Sequence, residues 1–141
     1  MNRIGAFGAT VVFAAAGIRA DAAQARILIA WDPQSLQSAM VAAGSGDEIA
    51  IAPGCYGALT INPTFPVAPG VTFAGMLGEE RPCFSSIRLN GVRDITFKNL
   101  NVEYGPTNSP ASSYAVELYD VSGIMFEQTE ISSASDGIAG N

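Results

Sequence analysis

Ile87-Arg88-Leu89-Asn90-Gly91-Val92-Arg93-Asp94-Ile95-Thr96-Phe97 and Val116-Glu117-Leu118-Tyr119-Asp120-Val121-Ser122-Gly123-Ile124-Met125-Phe126 align without a gap, 29 residues apart. In each stretch an alternating apolar pair, a turn with a single Gly and a second alternating apolar pair follow in the same order, the two-residue period of half-buried strands. The pattern extends outward in both directions. Ile49/Ile51, Val71/Phe73, Ile95/Phe97 and Ile124/Phe126 form one series with steps of 22, 24 and 29 residues, and Leu59/Ile61, Ile87/Leu89 and Val116/Leu118 form another with steps of 28 and 29. Leu100/Val102 and Thr129/Ile131 add a third pair per turn, again 29 apart. Strands recurring at this period suggest a solenoid, and three apolar pairs per turn give each coil three walls around a filled interior. The expectation is therefore an all-β chain, a right-handed parallel β-helix.

Upstream of the repeats the signal is helical. Residues 26–31 read as a short strand, and Asp32-Pro33 places an N-cap acceptor before a proline at the first helical position. Leu36, Met40 and Ala43 then share one face, and the helix is expected to stop at Gly44-Ser45-Gly46, where it would cap the coils. The organisation predicted is a signal peptide over 1–25, a strand and capping α-helix over 26–46, and the first coils of a β-helix over 47–141. Asp136-Gly137-Ile138-Ala139-Gly140-Asn141 reads as a strand of the second series cut off as it begins. The β-helix is thus expected to be truncated at its C-terminal end, with further coils of the same chain or a partner covering that end.

Register constrains the polar residues as well. Equivalent positions in successive coils should lie about 4.8 Å apart, side chain over side chain. Arg88 then falls over Glu117 and Lys98 over Glu127, so opposite charges stack where like charges would repel. Cys55 and Cys83 are 28 residues apart, matching the step from Leu59 to Ile87. They should lie in adjacent coils, at a separation that suits a disulfide in an oxidising compartment; an inward stack of two free thiols is the alternative. Neither arrangement is catalytic, because a reactive thiol needs an activating base and the chain has no His.

Composition narrows the function. The 141 residues are 48% hydrophobic and 14% charged, which fits one domain with a packed core. Seven Lys and Arg stand against thirteen Asp and Glu, a net charge of −6. An acidic field disfavours nucleic acid and anionic membranes as partners. The absence of His excludes a Ser-His-Asp triad and a His-ligated zinc site within these residues. At the N-terminus, Asn2-Arg3 precedes an uncharged apolar run from Ile4 to Gly17, and Ala23-Gln24-Ala25 has the small-x-small form of a cleavage site, with Ala20-Asp21-Ala22 as the alternative. The run falls short of the roughly 20 residues a bilayer span needs, so no permanent membrane anchor is expected. This is a bacterial-type signal peptide, and it predicts a secreted or periplasmic protein. Cleavage after Ala25 removes Arg3, Arg19 and Asp21 and leaves five cations against twelve anions, so the acidity persists.

Ala43-Gly44-Ser45-Gly46-Asp47-Glu48-Ile49-Ala50-Ile51-Ala52-Pro53-Gly54-Cys55-Tyr56 resembles the opening of the pectate-lyase-like right-handed β-helix proteins, where a capping helix runs into Gly-Asp, an apolar strand and a Pro-Gly-x-Tyr turn. Ile95-Thr96-Phe97-Lys98-Asn99-Leu100 is similar to the coils of the same superfamily, and the nearest flavour is the alginate lyase and chondroitinase B group. The resemblance covers roughly residues 35 to 141 and implies a polysaccharide partner. It also implies the N-terminal part of an exported lyase acting on a uronate-containing polymer by β-elimination. The superfamily also contains hydrolases, adhesins and tailspikes, so a non-catalytic carbohydrate-binding or structural solenoid is the competing reading. It further implies that Asn99 and Gln128 occupy an amide ladder along a bend.

Catalysis of this kind needs a cation or Ca²⁺ to neutralise the uronate carboxylate and a base to take the C5 proton, often Lys or Arg in that superfamily. Arg88, Arg93 and Lys98 are the available cations, although a stacked ion-pair ladder is the plainer role for Arg88 and Lys98. Catalytic residues are therefore left unassigned, and no cofactor is identifiable. Glu117, Asp120, Glu127 and Glu130 could contribute oxygen ligands if the complete protein holds Ca²⁺, but solvated outer-face residues are their simpler reading. Hydrolysis would need an Asp pair. Asp136, after Ser135, is better read as a turn residue, and Tyr104 and Tyr119 are candidates to stack on a sugar.

Overall fold

The computed structural model of the protein describes residues 24–104, 114–133 and 136–140. The expected signal peptide lies outside the described residues as far as residue 23, and among the described residues no helix is long and apolar enough to cross a membrane. The chain opens with β1 (Ile27–Ala30) and α1 (Pro33–Ala42), followed by β2 (Glu48–Ile51), β3 (Ala58–Ile61), β4 (Thr72–Gly75), β5 (Cys83–Phe84) and β6 (Ser86–Asn90). It continues through β7 (Thr96–Lys98), β8 (Asn101–Tyr104), β9 (Tyr114–Tyr119), β10 (Met125–Glu127), β11 (Glu130–Ser133) and β12 (Asp136–Gly140).

Among the described residues all pairings are parallel, and they divide the strands among three sheets. The five-stranded sheet has the order β1-β2-β4-β7-β10, the four-stranded sheet β12-β9-β6-β3 and the three-stranded sheet β11-β8-β5. This corrects the expectation of a right-handed parallel β-helix. Among the described residues the fold is parallel and β-rich with one short helix, but its strands form three separate sheets of unequal size, and no single solenoid is formed. The physical reason is that backbone hydrogen bonds close within a sheet. An apolar period marks where strands lie and which way they face, but not how neighbouring ladders are joined. The intervening segments 52–57, 62–71 and 76–82 are largely irregular and differ in length, so the even 29-residue step of the last two repeats does not hold upstream.

The pairings do place the apolar rows together. Ile49 pairs with Phe73 and Phe73 with Phe97, while Leu59, Ile87 and Val116 form a second row and Phe84 and Val102 a third. Each of these residues is buried, and together they form one core. Phe73, Phe97 and Phe126 stack with ring centroids 5.1 Å apart at both steps, and Tyr56 stacks on Phe84 at 5.6 Å. Offset stacks of this kind are a favourable aromatic geometry. Helix α1 starts at a reciprocal capping box, in which Asp32 Oδ1 accepts from the Ser35 N–H at 2.7 Å and Ser35 Oγ accepts from the Asp32 N–H at 3.0 Å. Its buried face, Leu36, Ala39 and Met40, joins the same core.

One side chain joins the helix to the sheets. Asp47 is 4% exposed and accepts from the Arg26 N–H at 2.9 Å, from Arg26 Nε at 3.1 Å and Nη2 at 2.7 Å, and from the Gly44 N–H at 2.8 Å. Arg26 Nη2 also donates to Ala42 O at 2.8 Å, at the end of α1. The start of β1, the end of α1 and the start of β2 are thus held at one carboxylate. The Arg26 guanidinium, then the Gly44 and Arg26 amides, hold the Asp47 carboxyl down to about 2 from its ordinary 3.8. Because the folded value lies below the unfolded one, the stabilisation is complete above pH 3.8 and is lost as pH falls through about 2. Asp47→Asn is expected to lower the urea midpoint at neutral pH and to flatten its decline across that acid window. Urea titrations at a series of pH values measure both.

Candidate functional site

Register places the chemistry of the four-stranded sheet. Ile61, Leu89 and Leu118 share one row on the core side, so Thr60, Arg88 and Glu117 form a row on the outer side, and Asn90 pairs with Tyr119 in the next. These residues, with Asn62, line a groove of about 330 Å³. Arg88 Nε donates to Glu117 Oε1 at 3.0 Å and Nη2 to Oε2 at 3.4 Å, a forked contact that fixes both side chains. The Arg88 side chain is 47% exposed and that of Glu117 only 9%. A buried carboxylate is costly without a cation, so Arg88 both pairs with Glu117 and presents its free edge to the groove. Tyr119 is 40% exposed beside them.

A second basin of about 400 Å³ continues from the first, with Asn62 common to both. Its wall is the loop that carries Pro63, Pro66 and Pro69. Asn62 organises this loop as an Asx turn, its Oδ1 accepting from the Thr64 and Phe65 N–H groups at 2.9 Å each. Opposite stand the turns after β6 and β9, joined by Asp94 N–H to Ser122 O at 2.9 Å and Gly91 N–H to Tyr119 O at 3.0 Å. Asp94 and Asp120 hold these turns with φ of 57° and 51°, a left-handed conformation that Asp tolerates. Gly123 lies so close to the Asp94 carboxylate that a Cβ there would collide with it. Arg93 and Asp120 line this basin, and Arg93 has no ion-pair partner among the described residues.

The other residues singled out from sequence are dispersed. Cys55 and Cys83 form a disulfide with a Cα–Cα distance of 4.5 Å. Lys98 pairs in register with Glu127 on the five-stranded sheet, away from Arg88, and no ion pair joins them. Asn99 and Gln128 occupy equivalent bends with φ of 57° and 49°. Among the described residues no hydrogen bond joins the two amides of the expected ladder: Asn99 Nδ2 donates to Gly75 O at 3.2 Å and Met76 O at 3.4 Å, and Arg81 Nε donates to Asn99 Oδ1 at 3.1 Å. The amide turns back because Gly75, where a Cβ would strike the Asn99 backbone oxygen, brings its carbonyl within reach. Tyr56 is buried, with its hydroxyl donating to Ala52 O at 2.7 Å. The Asp136 side chain lies outside the described residues.

Sequence reasoning missed the Asp47 clamp, the Asx turn at Asn62 and the burial of Glu117, which was expected on a solvated face. The signals were an Asp directly before an apolar strand and an Asn opening a proline-rich loop. Among the described residues, no group of three or more His, Cys, Asp or Glu side chains is placed to hold a metal ion, and Glu117, Glu127 and Glu130 lie on three different sheets. No family model, curated protein or solved structure matches the chain. Fold and site together define a disulfide-stapled parallel-β protein with a polar, aromatic-edged groove on one sheet.

The asymmetry between the two register pairs has a measurable consequence. Glu117→Gln, which strips the charge from a buried partner, is expected to cost about 1–2 kcal/mol, whereas Glu127→Gln on the exposed, unbonded pair should stay within about 0.5 kcal/mol of wild type. Urea unfolding of the two variants under one buffer makes the comparison.

Proposed function

We propose that this chain is an exported protein that binds a uronate-containing polysaccharide along the groove of the four-stranded sheet. The observation that carries the reading is the lining itself. Thr60, Asn62, Asn90 and the Arg88–Glu117 pair offer donors and acceptors to sugar hydroxyls, and the half-exposed Tyr119 ring offers a stacking face. Arg93, unpaired among the described residues, supplies a cation for a uronate carboxylate in the adjoining basin. Local cations matter because the chain as a whole is acidic and repels a polyanion at long range.

The β-elimination form of this reading, that of a polysaccharide lyase, has less support. It needs a base beside the carboxylate-binding cation, and of the other two cations Lys98 belongs to a different sheet and Arg88 is engaged by Glu117. Binding without turnover is the form these residues favour.

Affinity electrophoresis through gels containing alginate, pectate or chondroitin tests the proposal, with ultraviolet absorbance of unsaturated uronate ends read in parallel. At least one polymer is expected to retard the protein. Tyr119→Ala should weaken that binding about tenfold, the equivalent of one stacking contact. Absence of retardation by all three, or retardation that groove substitutions leave unchanged, would contradict the reading, and absorbing product would restore the lyase.

A further inference from the structure

The outermost strand of the five-stranded sheet carries an unusual surface. Among the described residues β1 has only one neighbour, β2. The carbonyls of Arg26 and Ala30 accept from Glu48 and Ala52, so those of Ile27 and Ile29 point to the free edge, together with their N–H groups. The side chains of the same alternate positions are exposed although apolar: Ile27 is 66% exposed, Ile29 48% and Trp31 64%. They border an open groove of about 750 Å³ whose far wall is formed by small and polar residues of α1, among them Ser35, Ser38 and Ala42. An edge with apolar residues in alternation is a template for another strand.

The sequence of this edge is complementary to its own reverse. Read outward from Ile29, Leu28 answers Ala30, Ile27 answers Trp31 and Arg26 answers Asp32. A parallel copy in register would set Arg26 over Arg26 and Asp32 over Asp32. An antiparallel copy sets each Arg26 against the other chain's Asp32, and it closes into a symmetric pair. Both charges retain capacity for this contact: Arg26 engages Asp47 and Ala42 through Nε and Nη2, leaving Nη1, and Asp32 uses Oδ1 for the Ser35 amide, leaving Oδ2.

We propose that β1 is the contact between two copies of this chain, paired antiparallel about a two-fold axis at Ile29. Ile29 of each copy exchanges both backbone hydrogen bonds with Ile29 of the other. The Ile27 N–H donates to the Trp31 carbonyl opposite, since the Trp31 N–H is already held by Ser35 Oγ. The apolar stripe then continues across both sheets, with Trp31 packed on Ile27. A contact of one short strand per chain is smaller than a standard permanent interface, so the dimer is concentration-dependent.

Sedimentation of the disulfide-intact protein over a concentration series is the first measurement, and wild type is expected to move from monomer to twice that mass. Ile29→Lys sets two like charges face to face at the axis and should remain monomeric throughout while keeping the wild-type circular dichroism spectrum. Ile29→Cys places two thiols opposite each other and should form a disulfide-linked dimer under mild oxidation, whereas Val41→Cys on the exposed face of α1 should not. A wild type that stays monomeric up to its solubility limit, an Ile29→Lys protein that still dimerises, or crosslinking no faster at position 29 than at 41 would each overturn the proposal.

Discussion

A parallel ladder in register sets each side chain over its counterpart on the next strand, about 4.8 Å away. A residue is therefore accommodated only if its neighbours in the row accommodate it. Apolar rows satisfy this by stacking, as Phe73, Phe97 and Phe126 do. Charged rows satisfy it by alternating in sign, as Arg88 and Glu117 do. Turns satisfy it by repeating a left-handed conformation at equivalent positions, as Gly91 and Asp120, Asp94 and Gly123, and Asn99 and Gln128 do. Most of the long-range order of the molecule is this rule applied row by row, with α1 and the Asp47 clamp fixing one end.

The same rule builds the groove. Because consecutive outer positions recur on β3, β6 and β9, polar residues far apart in sequence are collected on one face at fixed spacing. The proline-rich loop after β3 gives that face a wall, and the stacked turns give it a floor. Such a surface is preformed, and a preformed surface loses less entropy on binding an extended polymer than a mobile one would. The buried Glu117 has a second effect, since it fixes the guanidinium of Arg88 in one orientation instead of leaving it free on the surface.

Much of this was legible in the sequence. The alternating apolar pairs gave the strand positions, and the spacing aligned Arg88 with Glu117, Lys98 with Glu127 and Cys55 with Cys83. Asp32-Pro33 located the start of α1. The three strand series were legible, but not that they form three separate sheets of unequal size instead of one solenoid, because periodicity reports the facing of a strand and not the path of its hydrogen bonds at the corners. Side-chain choices between equally placed partners were also hidden. Lys98 and Glu127 share a register without bonding, and Asn99 prefers the carbonyls of residues 75 and 76 to the amide of Gln128. Burial of Glu117 depends on β9 having neighbours on both sides, a property of the assembled sheet that a local pattern does not carry.

The outer face of the four-stranded sheet is the saccharide-binding surface proposed above. Its most direct test is an amide chemical-shift titration of the isotope-labelled protein with uronate oligosaccharides. The amides of Asn62, Arg88, Asn90, Glu117, Tyr119 and Ser122 are expected to shift together along one saturable isotherm while those of β2 and β4 stay fixed. Shifts confined to another face, or none at saturating oligosaccharide, would contradict it.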